Sequence, residues 1–156
     1  MEPVNREQLV AAYEGDHELW IPDLSDVRWS DLDYLGWVHP SGHLGYVALI
    51  SPTSGDLRLI SLSRSRNRSS KPRYEMCSWC HHVHRTNGTA MFSLSVKGSN
   101  GRHTLGNVVC RDLDCSLRIR NLAEPGTFMK ETLYLEAKIW RMQMSMHKWL
   151  GRANQL

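Results

Sequence analysis

No stretch of this chain approaches the roughly 18 to 20 uncharged apolar residues that a membrane-spanning helix needs. The longest apolar run is only residues 45–50, so a soluble protein is expected. The opening residues Met1, Glu2, Pro3, Val4, Asn5, Arg6 and Glu7 have neither the basic start nor the apolar core of a secretory signal. The expected location is therefore the cytoplasm, where thiols stay reduced. The chain also lacks a phosphate-binding glycine loop, a nucleophile elbow and a His-Glu-x-x-His segment. It has no His-x-Glu ahead of a Pro-Cys-x-x-Cys, as a zinc deaminase would require. Histidines and serines are plentiful, but none sits in an arrangement that names a reaction, so a binding protein rather than an enzyme is expected.

What is present is enough for one domain, because 156 residues can bury a core without disulfides. The net charge of +3 hides an uneven distribution. Residues 1–62 carry ten acids (Glu2, Glu7, Glu14, Asp16, Glu18, Asp23, Asp26, Asp31, Asp33, Asp56) against three bases, and the remainder carries sixteen bases against six acids. Either the second part faces something negative, such as RNA or an acidic protein surface, or the two parts neutralise each other.

Asn5 followed three residues later by Gln8 reads as a capping box opening a helix of about three turns that Gly15 would close. Residues 20–33, rich in Trp and Asp, show no clean period. Residues 1–30 are thus a helical or irregular extension, and residues 31–156 the main domain. From Tyr34 the pattern becomes strands at 35–38, 45–50 and 57–62, separated by turn formers, an antiparallel β-meander. Residues 63–75 read as a flexible basic loop, with Arg64, Arg66, Arg68, Lys71 and Arg73 as candidate contacts to RNA phosphates. Residues 91–96 and 103–109 flank Gly98-Ser99-Asn100-Gly101 as a hairpin. A long C-terminal helix follows Pro125-Gly126, with Thr127 as its N-cap. Its apolar stripe is Leu135, Ile139, Met142, Met146 and Trp149, widened by Trp140 and Met144.

All four cysteines lie within 39 consecutive residues, as Cys77-x2-Cys80 and Cys110-x4-Cys115. A Cys-x-x-Cys knuckle turns two sulfurs to one point, and a hairpin returning to a second pair completes a tetrahedron with Zn–S distances of about 2.3 Å. Cys110 ends a strand, and Cys115 opens a helix over 116–122, where the helix dipole favours a thiolate. The alternatives are two disulfides, which reducing conditions disfavour, or four unrelated buried thiols, which the close pairing disfavours. His81, His82 and His84 follow the knuckle, as surface residues, as supports of the sulfurs, or as one substitute ligand. Four thiolates leave no position for an activated water, so one structural zinc is expected. The fold class is α+β: the meander, a treble-clef-like four-cysteine zinc finger and a long C-terminal helix.

Cys77-Ser78-Trp79-Cys80-His81, the hairpin, and above all Gly106-Asn107-Val108-Val109-Cys110-Arg111-Asp112-Leu113-Asp114-Cys115 resemble the treble-clef zinc finger of the FusB/FusC-type proteins. The likeness runs from about Trp29 to the C-terminal helix. Proteins of that type bind elongation factor G and confer fusidic acid resistance, and they carry an N-terminal helical bundle for which residues 1–30 are too few. The resemblance is thus to the C-terminal domain standing alone, and it implies a factor-binding protein that modulates translation at the ribosome. From side-chain chemistry, Trp79, pointing out of the knuckle, is the first candidate anchor, the alternative being that it folds back over the hairpin as a lid on the site. Phe128 beside Lys130 is a second, and Lys97 and Arg111 are candidate rim charges. The competing function is a ribosomal RNA-binding module that uses the Arg/Ser loop.

Overall fold

A computed structural model describes residues 1–65, 69–126, 129 and 131–156 of the chain. Helix α1 (Arg6–Ala11) opens on the capping box, with Asn5 Oδ1 accepting from the Gln8 amide and Gln8 Oε1 from the Asn5 amide, both at 2.8 Å. It stops short of Gly15 because Tyr13 leaves the helix to bridge Leu59 in parallel. The Tyr13 ring then folds over Gly15, where a Cβ would come within 2.5 Å of it.

Strands β1 (Leu35–Val38), β2 (Leu44–Ile50) and β3 (Leu57–Arg64) form the meander, and β6 (Thr89–Ser95) and β7 (Thr104–Cys110) the hairpin. Together they make one antiparallel sheet in the order β1-β2-β3-β6-β7. Its two parts are joined through the pairs Ser63↔Ser93 and Arg64↔Phe92 and the Ser65 amide donating to the Met91 carbonyl at 2.9 Å. Between β3 and β6 the chain makes a small separate hairpin, β4 (Tyr74–Met76) and β5 (Val83–Arg85). Three-residue strands are too short to announce themselves by alternation, and none was expected there. Helix α2 (Cys115–Ile119) and helix α3 (Leu135–Arg152) complete the fold.

The meander is covered on both faces. Tyr46, Ala48, Leu35, Trp37 and Leu59 face Leu9, Ile21 and Leu32 of the N-terminal segment. That segment, irregular between α1 and a 3-10 turn at Trp29–Asp31, is held by Trp37 Nε1 donating to the Trp20 carbonyl at 2.8 Å and Tyr46 Oη donating to that of Glu18 at 2.6 Å. On the other face Val47, Leu49, Ile60 and Leu62 join Phe92, Leu94, Val109 and the α3 residues Met142, Met146, Trp149 and Leu150. Two-sided burial explains why β2 reads as a continuous apolar run instead of an alternating one.

Helix α3 begins at Leu135, later than expected; Thr127, the expected N-cap, lies outside the described residues. The stripe of Met142, Met146 and Trp149 is buried, with Ile139 packed against it. Trp140 and Met144 do not widen it. At about 100° per residue they lie roughly 160° to 200° from Met142, and they are 64% and 51% exposed. Among the described residues no helix is long and apolar enough to cross a membrane.

Candidate metal centre

The β4–β5 turn presents Cys77 and Cys80, the end of β7 presents Cys110, and the first residue of α2 presents Cys115. The four Sγ atoms lie within 4.8 Å of one another and all four residues are buried. The Cys77–Cys115 and Cys80–Cys110 sulfurs are 3.6 and 3.5 Å apart. A tetrahedron with Zn–S bonds of about 2.3 Å has edges of about 3.8 Å, so the cluster has the size and donor chemistry for one zinc ion. None of the cysteines is in a disulfide.

Each knuckle is held by bonds of its own backbone and by contacts from neighbouring elements. In the first, the amides of Trp79 and Cys80 donate to Cys77 Sγ at 3.4 and 3.5 Å, and the Ser78 amide donates to the Val108 carbonyl at 2.9 Å. In the second, Leu113 turns the chain in the left-handed region at φ 57, a conformation unfavourable for a leucine. Its side chain is buried and its carbonyl accepts from Tyr34 Oη at 2.8 Å. Glycine at position 36 lets β1 approach this turn: a Cβ there would lie 2.4 Å from the Leu113 oxygen.

Confined together, the thiols cannot all ionise alone. Burial, then interactions with the Cys77 and Cys80 sulfurs, pushes Cys115 well above the ordinary thiol range. Contacts with Cys115, Cys77 and Cys80, then burial, do the same to Cys110. Cys77 is held well below that range: burial opposes its ionisation, but hydrogen bonding from Cys110, Cys115 and Cys80 prevails. A divalent cation removes this conflict by favouring the thiolate at every ligand.

His84 is buried, with Nε2 3.2 Å from Cys110 Sγ. Burial, then His82 and Arg118, lowers its pKa to about 4. It is therefore a neutral imidazole placed to support a ligand. His82 packs edge-on against it, and His81 makes the left-handed turn that leaves the knuckle. The contribution of His84 had only a sequence neighbourhood to suggest it; those of Tyr34, Gly36 and Leu113 had no sequence signal.

The expected partner-contact residues are dispersed. Trp79 does not point outward: it is fully buried, with Tyr34 and Trp149 each 5.8 Å from it between ring centroids. The reason is α3, which lays Trp149 over the knuckle and turns what would be the outside of a lone finger into core. Lys97 lies beyond the far end of β6 from the cysteines, its ammonium on Glu14. Arg111 is half-exposed within the second knuckle. Phe128 and Lys130 are outside the described residues, as are Arg66 and Arg68 of the basic loop. The rest of that segment is tied down. Arg64 belongs to β3 and packs over Phe92, with 5.9 Å from guanidinium carbon to ring centroid. Arg73 pairs with Glu75 at 2.7 Å, its amide donating to Thr86 Oγ1. Lys71 donates its amide to Ser69 Oγ, and Tyr74 and Glu75 belong to β4.

A knuckle hairpin, a second hairpin and a short helix converging on four sulfurs is the treble-clef arrangement. Among solved structures, that of the fusidic acid resistance protein FusC shares the fold, with a TM-score of 0.61 over 97% of this chain at 15% identity. The chain spans 59% of the length of FusC, and the likeness at that identity is one of fold. No curated protein sequence matches the chain. The family described as the FBP C-terminal treble-clef zinc-finger matches residues 5–153. That match takes in the N-terminal segment, the meander and all four sulfur donors, and the chain belongs to this family.

Proposed function

We propose that the chain is a zinc-containing binding protein, not an enzyme, that engages elongation factor G at the ribosome and modulates translation or release of the factor. The observation that carries the binding role is the closed sulfur cluster. Four buried thiolates satisfy a tetrahedral ion completely and leave no position for a reacting water. The zinc then serves to hold β4, β5, β7 and α2 in one shape, as an interaction surface requires. Factor binding rests on the family to which the chain belongs and on its likeness in fold to a fusidic acid resistance protein. The competing role, RNA binding through the Arg/Ser loop, is weakened because the guanidiniums of Arg64 and Arg73 already have partners within the protein.

The test is calorimetry of the purified protein with purified elongation factor G of the same organism, both free of RNA. Saturable binding of one to one stoichiometry at micromolar concentration is expected. Absence of heat at those concentrations sinks the factor-binding role, and binding only to ribosomal RNA would put the competing role in its place.

A further inference from the structure

Trp140, Met144, Lys148 and Arg152 recur at intervals of four along α3, so they form one continuous ridge with about 6 Å between neighbouring side-chain origins. All four are exposed. The ridge is apolar in its first half and cationic in its second. Neither cation has an acidic partner among the described residues, whereas Arg28, Arg58, Arg73, Arg118, Arg120 and Arg141 do. A row of four-residue steps also drifts around the helix by about 40° per step. The drift carries the cationic end toward β7, where Lys148 and Arg152 line a hollow of about 270 Å³ with Ser78, Asn107, Ser145 and Trp149. No carboxylate lines it. Ser78 lies between the first two zinc ligands, so the metal fixes one wall of the hollow while α3 supplies the other.

We infer that this ridge and its hollow are the surface that grips a protein partner, and that the partner presents an acidic side chain next to an apolar one. The carboxylate enters the hollow against Lys148 and Arg152. The apolar group lies on Trp140 and Met144, roughly 12 Å along the helix for eight residues of rise. Two observations select this occupant. The hollow offers cationic and neutral polar groups and no anion, so charge complementarity requires a negative guest. The neighbouring Trp and Met are the residue types that form protein contact centres, whereas a nucleic acid backbone calls for a longer file of phosphate-binding cations than the two found here.

The inference rests on the proposed engagement of elongation factor G, and the experiment separates the two. Calorimetry with the purified factor is run on the zinc-loaded protein, Trp140→Ala, the double variant Lys148→Glu/Arg152→Glu, and Tyr74→Ala. The last removes an exposed aromatic at the start of β4 that does not line the hollow. Expected are a loss of about thirtyfold in affinity for Trp140→Ala, a loss of tenfold or more for the double variant, and no change for Tyr74→Ala. The parent's affinity should fall with salt while that of the double variant does not. Zinc content and melting should match the parent throughout, because the altered side chains are exposed. Binding of the parent that survives both ridge variants overturns this inference and leaves the factor-binding role standing. Absence of binding by the parent overturns both, and a loss shared equally by Tyr74→Ala overturns the placement on α3.

Discussion

At His84, an imidazole that burial, His82 and Arg118 keep neutral lies 3.2 Å from the sulfur of Cys110. A metal ligand that accepts a hydrogen bond is oriented by it, and loss of such a support commonly costs about 10- to 100-fold in metal affinity. His84→Ala is expected to reduce zinc affinity by that factor while leaving all four ligands in place, as read by competition with a zinc chelator. An unchanged competition curve would remove His84 from the site. Trp79 illustrates the opposite case, a residue whose local sequence is informative and whose surroundings overrule it. Its place between two cysteines is as expected, but the direction of its side chain depends on Tyr34 and Trp149, which lie 45 residues before it and 70 after it. With the indole in the core, truncating it removes packing worth about 3 to 5 kcal/mol, so Trp79 is a poor probe of any interface.

Among the connecting elements, the segment between α2 and α3 has Glu131 held by Arg141 near its end and is anchored near its start by Arg118. Its side chain is 5% exposed, pairs with Asp114 at 2.9 Å, and donates to the carbonyls of Pro125 and Glu124 at 3.0 and 3.3 Å. Replacing it with methionine keeps much of the packing but leaves Asp114 and two carbonyls without their donor. A destabilisation of about 3 kcal/mol is expected, with faster proteolysis between residues 121 and 134 as the local sign. Denaturant unfolding measures the first and limited digestion the second; a variant that matches the parent in both means that Arg118 does not hold the segment. The elements themselves were legible in proportion to their length and periodicity. The meander, the β6–β7 hairpin, the capping box and the presence of α3 all follow from local pattern. The end of α1 did not, because Tyr13 is drawn into a bridge with Leu59. Nor did the sidedness of α3: its sequence carries two apolar rows, and 3.6-residue periodicity alone does not say which row meets the sheet. The zinc ligands were the most legible feature, because metal spacing constrains nearby residues. The supports from Tyr34, Gly36 and Leu113 are contacts between distant segments and leave no such trace.

For the molecule as a whole, the charge asymmetry is largely preserved at the surface. Among the described residues, only the pairs Glu14–Lys97 and Asp33–Arg120 join an acid of residues 1–62 to a base of the remainder. The two parts therefore neutralise one another little, although Arg73, Arg118 and Arg141 pair with acids of the second part itself. Zinc dominates the stability of that part. Structural zinc contributes about 10 to 16 kcal/mol of apparent binding free energy in finger peptides, against about 5 to 15 kcal/mol for a whole domain. Chelation at neutral pH is expected to abolish cooperative melting of the treble clef. Acidification should do the same, because each thiolate must release the metal to take up a proton. Circular dichroism with and without chelator checks this, and a melting curve indifferent to zinc would refute it.

The two-sided burial of β2 carries this dependence into the life of the protein in the cell. Val47, Leu49, Ile60 and Leu62 are covered by the half of the fold that the cysteines organise. When that cover loosens, the meander retains its hydrogen bonds but bares an apolar sheet face, a template for self-association and a target for chaperones and proteases. Zinc supply then governs how much of the protein persists, and starvation for the metal would lower its abundance through quality control before any synthesis rate had changed.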